Sequence, residues 1–163
     1  MIDCENNTLD EEFIKTTHKR LKTNTSDSRL PWFNVGEYKS RRNMVADRQT
    51  TPPGKVKKEM DKLLNEYLGK QNISFDDILD FHVKFERIHP FQDGNGRTGR
   101  IIMFKECLKY NIVPFIIEDN LKMFYYRGLK EWDNEKGYLR DTCLTAQDRY
   151  KKLLDYFEIK YEN

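Results

Sequence analysis

Hydrophobic residues recur at helical spacing through most of this chain, and they predict a mainly α-helical protein. After a polar start, Thr8 or Asp10 is suited to cap a first helix whose inner face repeats at i, i+4 and i+8. A second helix is expected from Pro53 to a stop at Gly69, with its stripe opposite Lys and Asp. The residues on these two stripes are Phe13, Ile14, Thr17, His18, Leu21, Val56, Met60, Leu63, Leu64, Tyr67 and Leu68.

Four more helical patterns follow along the chain. Ser74 and Asp77 resemble a capping box at the start of the third helix, and Pro90 ends that helix because the residue before a proline avoids the helical region. The next helix begins near Gly96 and is strongly apolar, which favours a central position in the fold. The stripes of the last two helices are Leu121, Phe124, Tyr125, Leu129 and Trp132, and then Leu139, Cys143, Ala146, Tyr150, Leu153, Leu154 and Phe157.

One region between the first two helices lacks helical spacing. Residues 36–53 have the pattern of an extended, turn-bounded segment, with a β-hairpin around Ala46 to Arg48. A surface loop is the alternative that the pattern leaves open. Arg41 and Arg42 stand near the start of this segment, where they either touch a substrate or face solvent.

Composition sets broad limits on the protein. A chain of 163 residues with 37% hydrophobic and 34% charged residues suits a single domain, expected to span residues 1–163. A net charge of +2 is too small to argue for a nucleic-acid partner, and no apolar run is long enough to span a membrane. Three widely spaced cysteines, Cys4, Cys107 and Cys143, fit reduced thiols, which predicts a cytoplasmic protein.

The chemistry of the chain is concentrated in residues 89–100, which read HPFQDGNGRTGR. The two glycines that flank Asn95 allow a backbone nest whose N–H groups converge on an anion. A helix that begins near Gly96 points its positive end at the same place, and Arg97 and Arg100 share a face of that helix. These features together predict a site for a phosphate chain.

Two titratable side chains complete this stretch. Asp93 supplies the carboxylate that Mg²⁺ prefers together with phosphate oxygens. His89 is the one residue of the stretch that takes up a proton near neutral pH.

Three other interpretations of the same residues are weaker. Residues 94–99 spell the dinucleotide fingerprint G-x-G-x-x-G, but that motif follows a strand, and here a helix precedes it. A calcium loop would need a closing glutamate where Phe104 stands. His82, Glu86 and His89 have the helical spacing of metal ligands, as in a di-iron site or a metal-dependent hydrolase, but the chain has no second Glu-x-x-His.

Residues 89–100 match the signature His-Pro-Phe-x-Asp/Glu-Gly-Asn-Gly-Arg-x-x-Arg at every specified position, and through it the chain resembles Fic-domain proteins over nearly its whole length. The resemblance implies a mainly α, Fic-type helical bundle with a small β-hairpin flap, residues 36–53, before the active-site loop. It also implies transfer of AMP from ATP to a Ser, Thr or Tyr hydroxyl of a target protein. Pyrophosphate is released, and self-modification is expected.

The resemblance assigns a role to each motif residue. His89 is expected to be the catalytic base, and Asp93 is expected to hold Mg²⁺. Asp133 or Asn134 falls near a further position that contacts the nucleotide. The nucleotide is expected to meet Asp93, Gly94, Asn95, Gly96, Arg97 and Arg100 at its phosphates and Tyr125 and Tyr126 at its adenine.

Gly94 bears on the group that is transferred. Resembling phosphocholine transferases carry Ala there, and Doc-type kinases depart from Gly-Asn-Gly-Arg, so this sequence favours AMP transfer. The target is expected to dock by strand addition at the flap, and an antitoxin or a second copy of the chain are further expected partners. A module that binds nucleotide or antitoxin without turnover, and transfer of another phosphate-containing group, stay open as alternatives.

The first residues of the chain resemble part of a regulatory element. Many Fic proteins carry an inhibitory helix, Ser/Thr-x-x-x-Glu-Gly/Asn, whose glutamate pairs with the second motif arginine. Glu5-Asn6 matches the end of that motif, so residues 1–8 are expected to be a remnant of the helix and Glu5 its regulatory acid. A helix that lacks its preceding turn is poorly nucleated, and weak inhibition is expected. A tail without a regulatory role is the alternative.

Overall fold

A computed structural model of the chain describes residues 7–45 and 47–161. The protein is mainly helical, which confirms the predicted fold class. The six α-helices of the described residues are α1 (Glu11–Lys22), α2 (Pro53–Leu68), α3 (Phe75–Ile88), α4 (Asn95–Lys109), α5 (Lys122–Glu131) and α6 (Gly137–Tyr156). Asp27–Arg29 and Asp119–Leu121 form short 3₁₀ turns, and no described helix has the length and apolar character needed to cross a membrane.

Local capping rules explain where two of these helices begin. The backbone N–H of Phe13 donates to Asp10 Oδ1 at 2.7 Å, so Asp10 is the cap of α1. Ser74 and Asp77 bond each other reciprocally, with Ser74 N 2.9 Å from Asp77 Oδ2 and Asp77 N 3.2 Å from Ser74 Oγ. Helix α1 continues through Lys22, one residue beyond the last position of its predicted stripe, Leu21.

Two short strands form a hairpin within residues 36–53. β1 (Met44–Val45) pairs antiparallel with β2 (Arg48–Gln49), in the register Met44 to Gln49 and Val45 to Arg48. The predicted hairpin is therefore present, although Ala46, in its turn, lies outside the described residues. All four strand residues are exposed, so the hairpin stands on the surface.

The chain divides into two compact units. The described residues of the loop unit are 7–45, 47–72 and 84–102, which include α1, both strands of the hairpin, α2 and the whole of residues 89–100. Its buried apolar side chains come from α1, α2, the end of α3, the first half of α4 and the segments outside the helices. They include Leu9, Ile14, Phe33, Val56, Met60, Leu63, Leu64, Tyr67, Phe85, Ile88, Phe91 and Ile102.

The described residues of the helical unit are 73–83 and 103–161. Its helices α5 and α6 meet at backbone distance, since a Cβ on Gly128 would lie 2.5 Å from Leu139 Cα. The core of this unit contains Ile78, Leu79, Val83, Met103, Cys107, Phe115, Leu121, Tyr125, Trp132, Leu139, Cys143 and Ala146. The single domain over residues 1–163 stays a prediction.

Candidate active site

The active-site loop leaves α3 through an unusual backbone conformation. The N–H of His89 donates to the carbonyl of Phe85 at 2.9 Å, and His89 then adopts a φ of +53°. This left-handed conformation is uncommon for a residue with a Cβ, and it turns the chain away from the helix axis. His89 thus directly follows the C-terminal end of α3, as Pro90 led us to expect.

The ring of His89 has one nitrogen fixed by the protein. Nδ1 lies 3.3 Å from the carbonyl oxygen of Glu86. A carbonyl only accepts, so Nδ1 carries the proton of the neutral ring and Nε2 presents a lone pair. Burial lowers the pKa of His89 to about 4, the charges of Lys39 and Arg48 act in the same direction, and the Glu86 carbonyl and Asp93 oppose them. At neutral pH His89 is therefore a base in its unprotonated form.

Glu86 is a buried carboxyl beside this histidine. Burial raises the pKa of Glu86 to about 7, against the charges of Arg100 and Arg48. Its Oε2 lies 4.0 Å from His89 Nδ1. A Cβ on Gly96 would stand 3.9 Å from Glu86 Oε1 and 3.2 Å from Arg100 Nη1, so the absence of a side chain there leaves room for the guanidinium.

Asn95 stabilises the loop from inside. Its side chain is buried, with Oδ1 accepting from Phe91 N at 2.8 Å and Nδ2 donating to Phe91 O at 2.9 Å. Both ends of the amide are used in this way. The phosphate contact of Asn95 stays a prediction, and its backbone is suited to it: an α-helix leaves its first N–H groups without internal partners, and Asn95, Gly96 and Arg97 form the first turn of α4.

Asp93 is held by cations on two sides. Its Oδ2 lies 2.7 Å from Lys22 Nζ and 3.3 Å from Arg97 Nη2, and its side chain is about half exposed. Partial burial acts to raise the pKa of Asp93, but hydrogen bonds from Lys22 and from the Gly94 backbone, with the charges of Lys22 and Arg97, outweigh it. The pKa of Asp93 therefore lies below its usual value, and the side chain is a carboxylate.

Helix α1 supplies a support that sequence reasoning missed. His18 is fully buried, stacks on the ring of Phe91 at a centroid distance of 3.9 Å, and places Nε2 3.0 Å from the carbonyl of Asp93. Its Nδ1 accepts from the N–H of Gly36 at 3.0 Å, so the ring is neutral with its proton on Nε2. Lys22, one turn later, bonds the side chain of the same aspartate, and the i, i+4 spacing of His18 and Lys22 was the available indication.

Gly94 lies where a side chain would be strained. Its φ is +81°, and a Cβ would meet Lys22 Cδ at 3.3 Å and His18 Cδ2 at 3.5 Å. Only glycine adopts this conformation at little cost. The first glycine of the motif therefore lets α1 approach the loop closely.

The flap is bonded to the loop along its base. Lys39 N donates to Pro90 O at 2.9 Å, Asn43 Nδ2 donates to Phe91 O at 3.0 Å, and Arg41 N donates to Gln92 Oε1 at 3.3 Å. These bonds run beside the loop from residue 90 to residue 92. The flap and the catalytic loop are therefore one hydrogen-bonded structure.

Lys39 is buried beneath this junction. Its Nζ donates to Asn43 Oδ1 and to Thr50 Oγ1, both at 2.7 Å, and lies 3.4 Å from the carbonyl of Ile88. Burial lowers the pKa of Lys39 to about 8. The side chain links the two ends of the flap to the end of α3, a role that sequence reasoning did not assign.

The two predicted adenine residues lie in the helical unit and differ in exposure. Tyr125 is 2% exposed, and its hydroxyl lies 2.5 Å from His82 Nε2. Its ring belongs to the core of this unit and has little surface for a ligand, and its contact with adenine stays a prediction. Tyr126 is 56% exposed and keeps ring surface for a ligand. The regulatory residue predicted at the start of the chain, Glu5, lies outside the described residues.

The described residues contain no cluster of three His, Cys, Asp or Glu side chains suited to a metal ion. The metal-dependent hydrolase therefore gains no support, and His82 is bonded to Tyr125 instead. Asp93 still fits Mg²⁺ carried by a nucleotide, because it is an ionised, half-exposed carboxylate beside the first turn of α4. Mg²⁺ commonly takes one or two carboxylates together with substrate phosphates and water.

Residues 8–107 match the model of the Fic/DOC family. The curated protein adenylyltransferase Fic of Nematostella vectensis is 31% identical over 101 residues, covering 60% of this chain and 23% of that protein. A Fic domain containing signaling protein from Bacteroides thetaiotaomicron has a TM-score of 0.68 at 24% identity, covering 94% of this chain and 59% of that chain. The BepC protein of Bartonella tribocorum, solved with bound AMPPNP, has a TM-score of 0.64 at 17% identity, covering 89% of this chain and 79% of that chain.

The fold and the loop thus define a Fic-type protein. The family match covers more than half of the chain, so the chain belongs to the Fic/DOC family. The matched residues contain the active-site loop, the flap and α1. The chain spans less than a quarter of the length of the Nematostella protein, so that protein's activity is a matter for proposal here.

Proposed function

We propose that this protein transfers AMP from ATP to a hydroxyl side chain of a target protein, releases pyrophosphate, and also modifies itself. The observation that carries the proposal is the state of His89. Its ring is neutral, Nδ1 is bonded to the Glu86 carbonyl, and Nε2 is left as the acceptor. A base of this kind is what a hydroxyl nucleophile requires.

The reaction is an in-line displacement at the α-phosphorus. The hydroxyl oxygen of the target Ser, Thr or Tyr forms a bond to that phosphorus, and its proton passes to His89 Nε2. The bond from the α-phosphorus to the oxygen that bridges to the β-phosphorus breaks, and pyrophosphate leaves with the electron pair. Release of the proton from His89 to solvent restores the base.

The loop provides charge stabilisation for this displacement. Backbone N–H groups in the first turn of α4 are suited to bind an anion, and the helix dipole adds to them. Arg97 and Arg100 are always positively charged and would neutralise the negative charge of the leaving pyrophosphate. Asp93 would hold Mg²⁺, which neutralises phosphate charge when it is bound.

The exposed flap supports docking of a target by strand addition. Among the described residues the flap is a sheet of two strands, and addition of an extended peptide as a third strand is a common mode of recognition for such a sheet. The hydrogen bonds from Lys39 to residue 90 and from Asn43 to residue 91 hold the flap beside the loop of residues 89–100. A hydroxyl on the docked peptide would then be presented to His89.

ATP is the proposed nucleotide, and Tyr126 is the proposed contact of its adenine. The relative from Bartonella tribocorum was solved with AMPPNP, an ATP analogue. The exposed ring of Tyr126 offers a face on which a base can stack.

A reducing compartment such as the cytoplasm suits this protein. Cys107 and Cys143 are buried free thiols, and burial raises the pKa of Cys107 to about 12. Thiols of that kind are unreactive and serve as core side chains.

The test uses ATP labelled at the α-phosphate or at the γ-phosphate, with Mg²⁺, on the wild-type chain and on His89→Ala. Lys58→Ala, an exposed position on α2, is the matched control. We expect α-label on the protein or on a lysate protein, lost by about 10²–10⁴-fold in His89→Ala and unchanged in Lys58→Ala. Label from the γ-phosphate would indicate a kinase, and ATP binding with neither label would indicate a binding module.

A further inference from the structure

Lys22 is a buried lysine between two carboxylates. It is the last residue of α1 and 2% exposed, and its Nζ lies 2.7 Å from Asp93 Oδ2 and 2.5 Å from Asp27 Oδ2. The aliphatic part of its side chain lies close to Gly94, where an added Cβ would be 3.3 Å from Lys22 Cδ. Its ammonium lies 5.1 Å from the ring centroid of Phe33. A buried ammonium is costly unless it is paired, and here it has two partners.

The position of this ammonium conflicts with a metal ion. Asp93 is the carboxylate of the proposed phosphate site, and Lys22 and Arg97 already bond its Oδ2. A divalent cation that approaches this oxygen meets positive charge at close range, which is repulsive. The free protein therefore offers a metal ion a carboxylate that is already neutralised.

Asp27 and Asp93 both pair with the ammonium of Lys22. Asp27 lies in the 3₁₀ turn after α1, its side chain is 41% exposed, and its Oδ2 binds the same ammonium as Asp93. If Asp27 loses its charge, Lys22 interacts more strongly with Asp93. If Lys22 loses its charge, two carboxylates remain that share no cation.

We propose that Lys22 is a positioning residue which holds the Asp93 carboxylate and competes with a divalent cation for it, with Asp27 setting the strength of that competition. The free protein then binds the cation weakly, and phosphate oxygens of the nucleotide supply the ligands that make binding favourable. The proposal rests on the proposed function in taking Asp93 as the metal carboxylate. It does not depend on which group is transferred.

A purely structural role for Lys22 predicts the opposite result. Removing a partner that merely orients a metal ligand lowers metal affinity, commonly by about 10–100-fold. Removing a competing cation raises metal affinity. The direction of the change therefore separates the two roles.

The experiment is a titration of the whole chain with Mn²⁺ in the absence of nucleotide, with free Mn²⁺ followed by electron paramagnetic resonance. We expect Lys22→Met to bind Mn²⁺ about tenfold more tightly than wild type, equivalent to ~1.4 kcal/mol. Asp27→Asn is expected to bind more weakly, and Lys22→Arg is expected to behave as wild type. Adding Asp93→Asn to Lys22→Met is expected to remove the gain.

Controls keep the test interpretable. Lys58→Met removes an exposed lysine and is expected to leave Mn²⁺ affinity unchanged, and thermal unfolding reports whether each variant is folded. Unchanged or weaker binding in Lys22→Met, or a shift of Asp27→Asn in the same direction as Lys22→Met, overturns the proposal. Failure to bind Mn²⁺ in every variant overturns it as well. Loss of AMP transfer would appear only in the labelling assay, so the two failures are distinguishable.

Discussion

Both units bury polar side chains, but most of those side chains bond different partners in the two units. In the loop unit His18, Lys39 and Asn95 each bond irregular backbone. In the helical unit Lys105 pairs with Glu106 and His82 bonds Tyr125, while apolar side chains form the core and α5 and α6 are in close contact at Gly128. We expect hydrogen bonds to matter more for the shape of the loop unit, and close packing to matter more for that of the helical unit.

This difference follows from what each backbone requires. Helices satisfy their own N–H and C=O groups, so their side chains are free to pack. A loop that turns through His89 and Gly94 leaves main-chain groups in need of partners. Buried polar side chains supply them at Phe91 and Asp93, and the backbone N–H of Lys39 supplies one at Pro90. The loop of residues 89–100 is thereby held in one shape without becoming regular structure.

The largest expected effect is on the packing of the helical unit. In Gly128→Ala the new Cβ would lie 2.5 Å from Leu139 Cα and 2.7 Å from Leu139 N. Those are backbone atoms, so α5 and α6 must separate. We expect a loss of unfolding free energy on the order of 4 kcal/mol, measured by urea denaturation.

Gly54→Ala is the matched glycine substitution. A Cβ on Gly54 has open space, and the residue lies exposed in the first turn of α2, where alanine is the better helix former. We expect a small gain in stability, roughly 0.5 kcal/mol. Equal losses for both substitutions would contradict the packing argument, because the glycine contacts would then not matter.

The second prediction concerns opposite pH effects in the loop unit. The pKa of Glu86 is raised to about 7 from an ordinary 4.5, so its contribution to stability is full below pH 4.5 and is lost as the pH rises to 7. The pKa of His89 is lowered to about 4 from 6.5, so its contribution is full above pH 6.5 and is lost as the pH falls to 4. Between pH 4.5 and 6.5 the two trends nearly cancel in the wild type.

When either Glu86 or His89 is substituted, the unfolding free energy should follow the pH dependence of the residue that remains. Glu86→Gln is expected to become more stable as the pH rises from 4.5 to 6.5, and His89→Ala is expected to become less stable over the same range. Each trend amounts to roughly 2–3 kcal/mol, because a tenfold difference in proton affinity is ~1.4 kcal/mol. Urea unfolding at intervals of pH measures both, and parallel profiles for the two variants would contradict the assignment.

What the sequence predicts well in this protein is local. The Asp10 cap and the Ser74–Asp77 pair join residues three apart, and both are present. The motif of residues 89–100 predicted the loop and the end of α3, because Pro90 keeps the residue before it out of the helical conformation.

What the sequence did not predict depends on distant contacts. Lys22 meets Asp93 across 71 positions and Lys39 meets Ile88 across 49, and no periodic pattern encodes such pairs. Asn95 shows the same limit within the motif. Its residue type suits a phosphate ligand, but only the turn of the chain back onto Phe91 shows that its amide is already used. The sequence pattern around Tyr125 fits a core residue and a nucleotide contact equally well, and the structure shows its ring buried in the core.

The smallest expected effect tests whether hydrogen bonds matter less in the helical unit. Trp132 Nε1 donates to Asp80 Oδ1 at 3.0 Å, its ring belongs to the apolar core, and Lys136 Nζ lies 5.1 Å from the ring centroid. In Trp132→Phe the carboxylate of Asp80, which is only partly buried, is able to recover contact with water. We expect a loss of about 1 kcal/mol in urea unfolding from the hydrogen bond, with a further small loss from the volume of the indole. A loss as large as that of Gly128→Ala would mean that this polar bond, and not close packing, determines the stability of the helical unit.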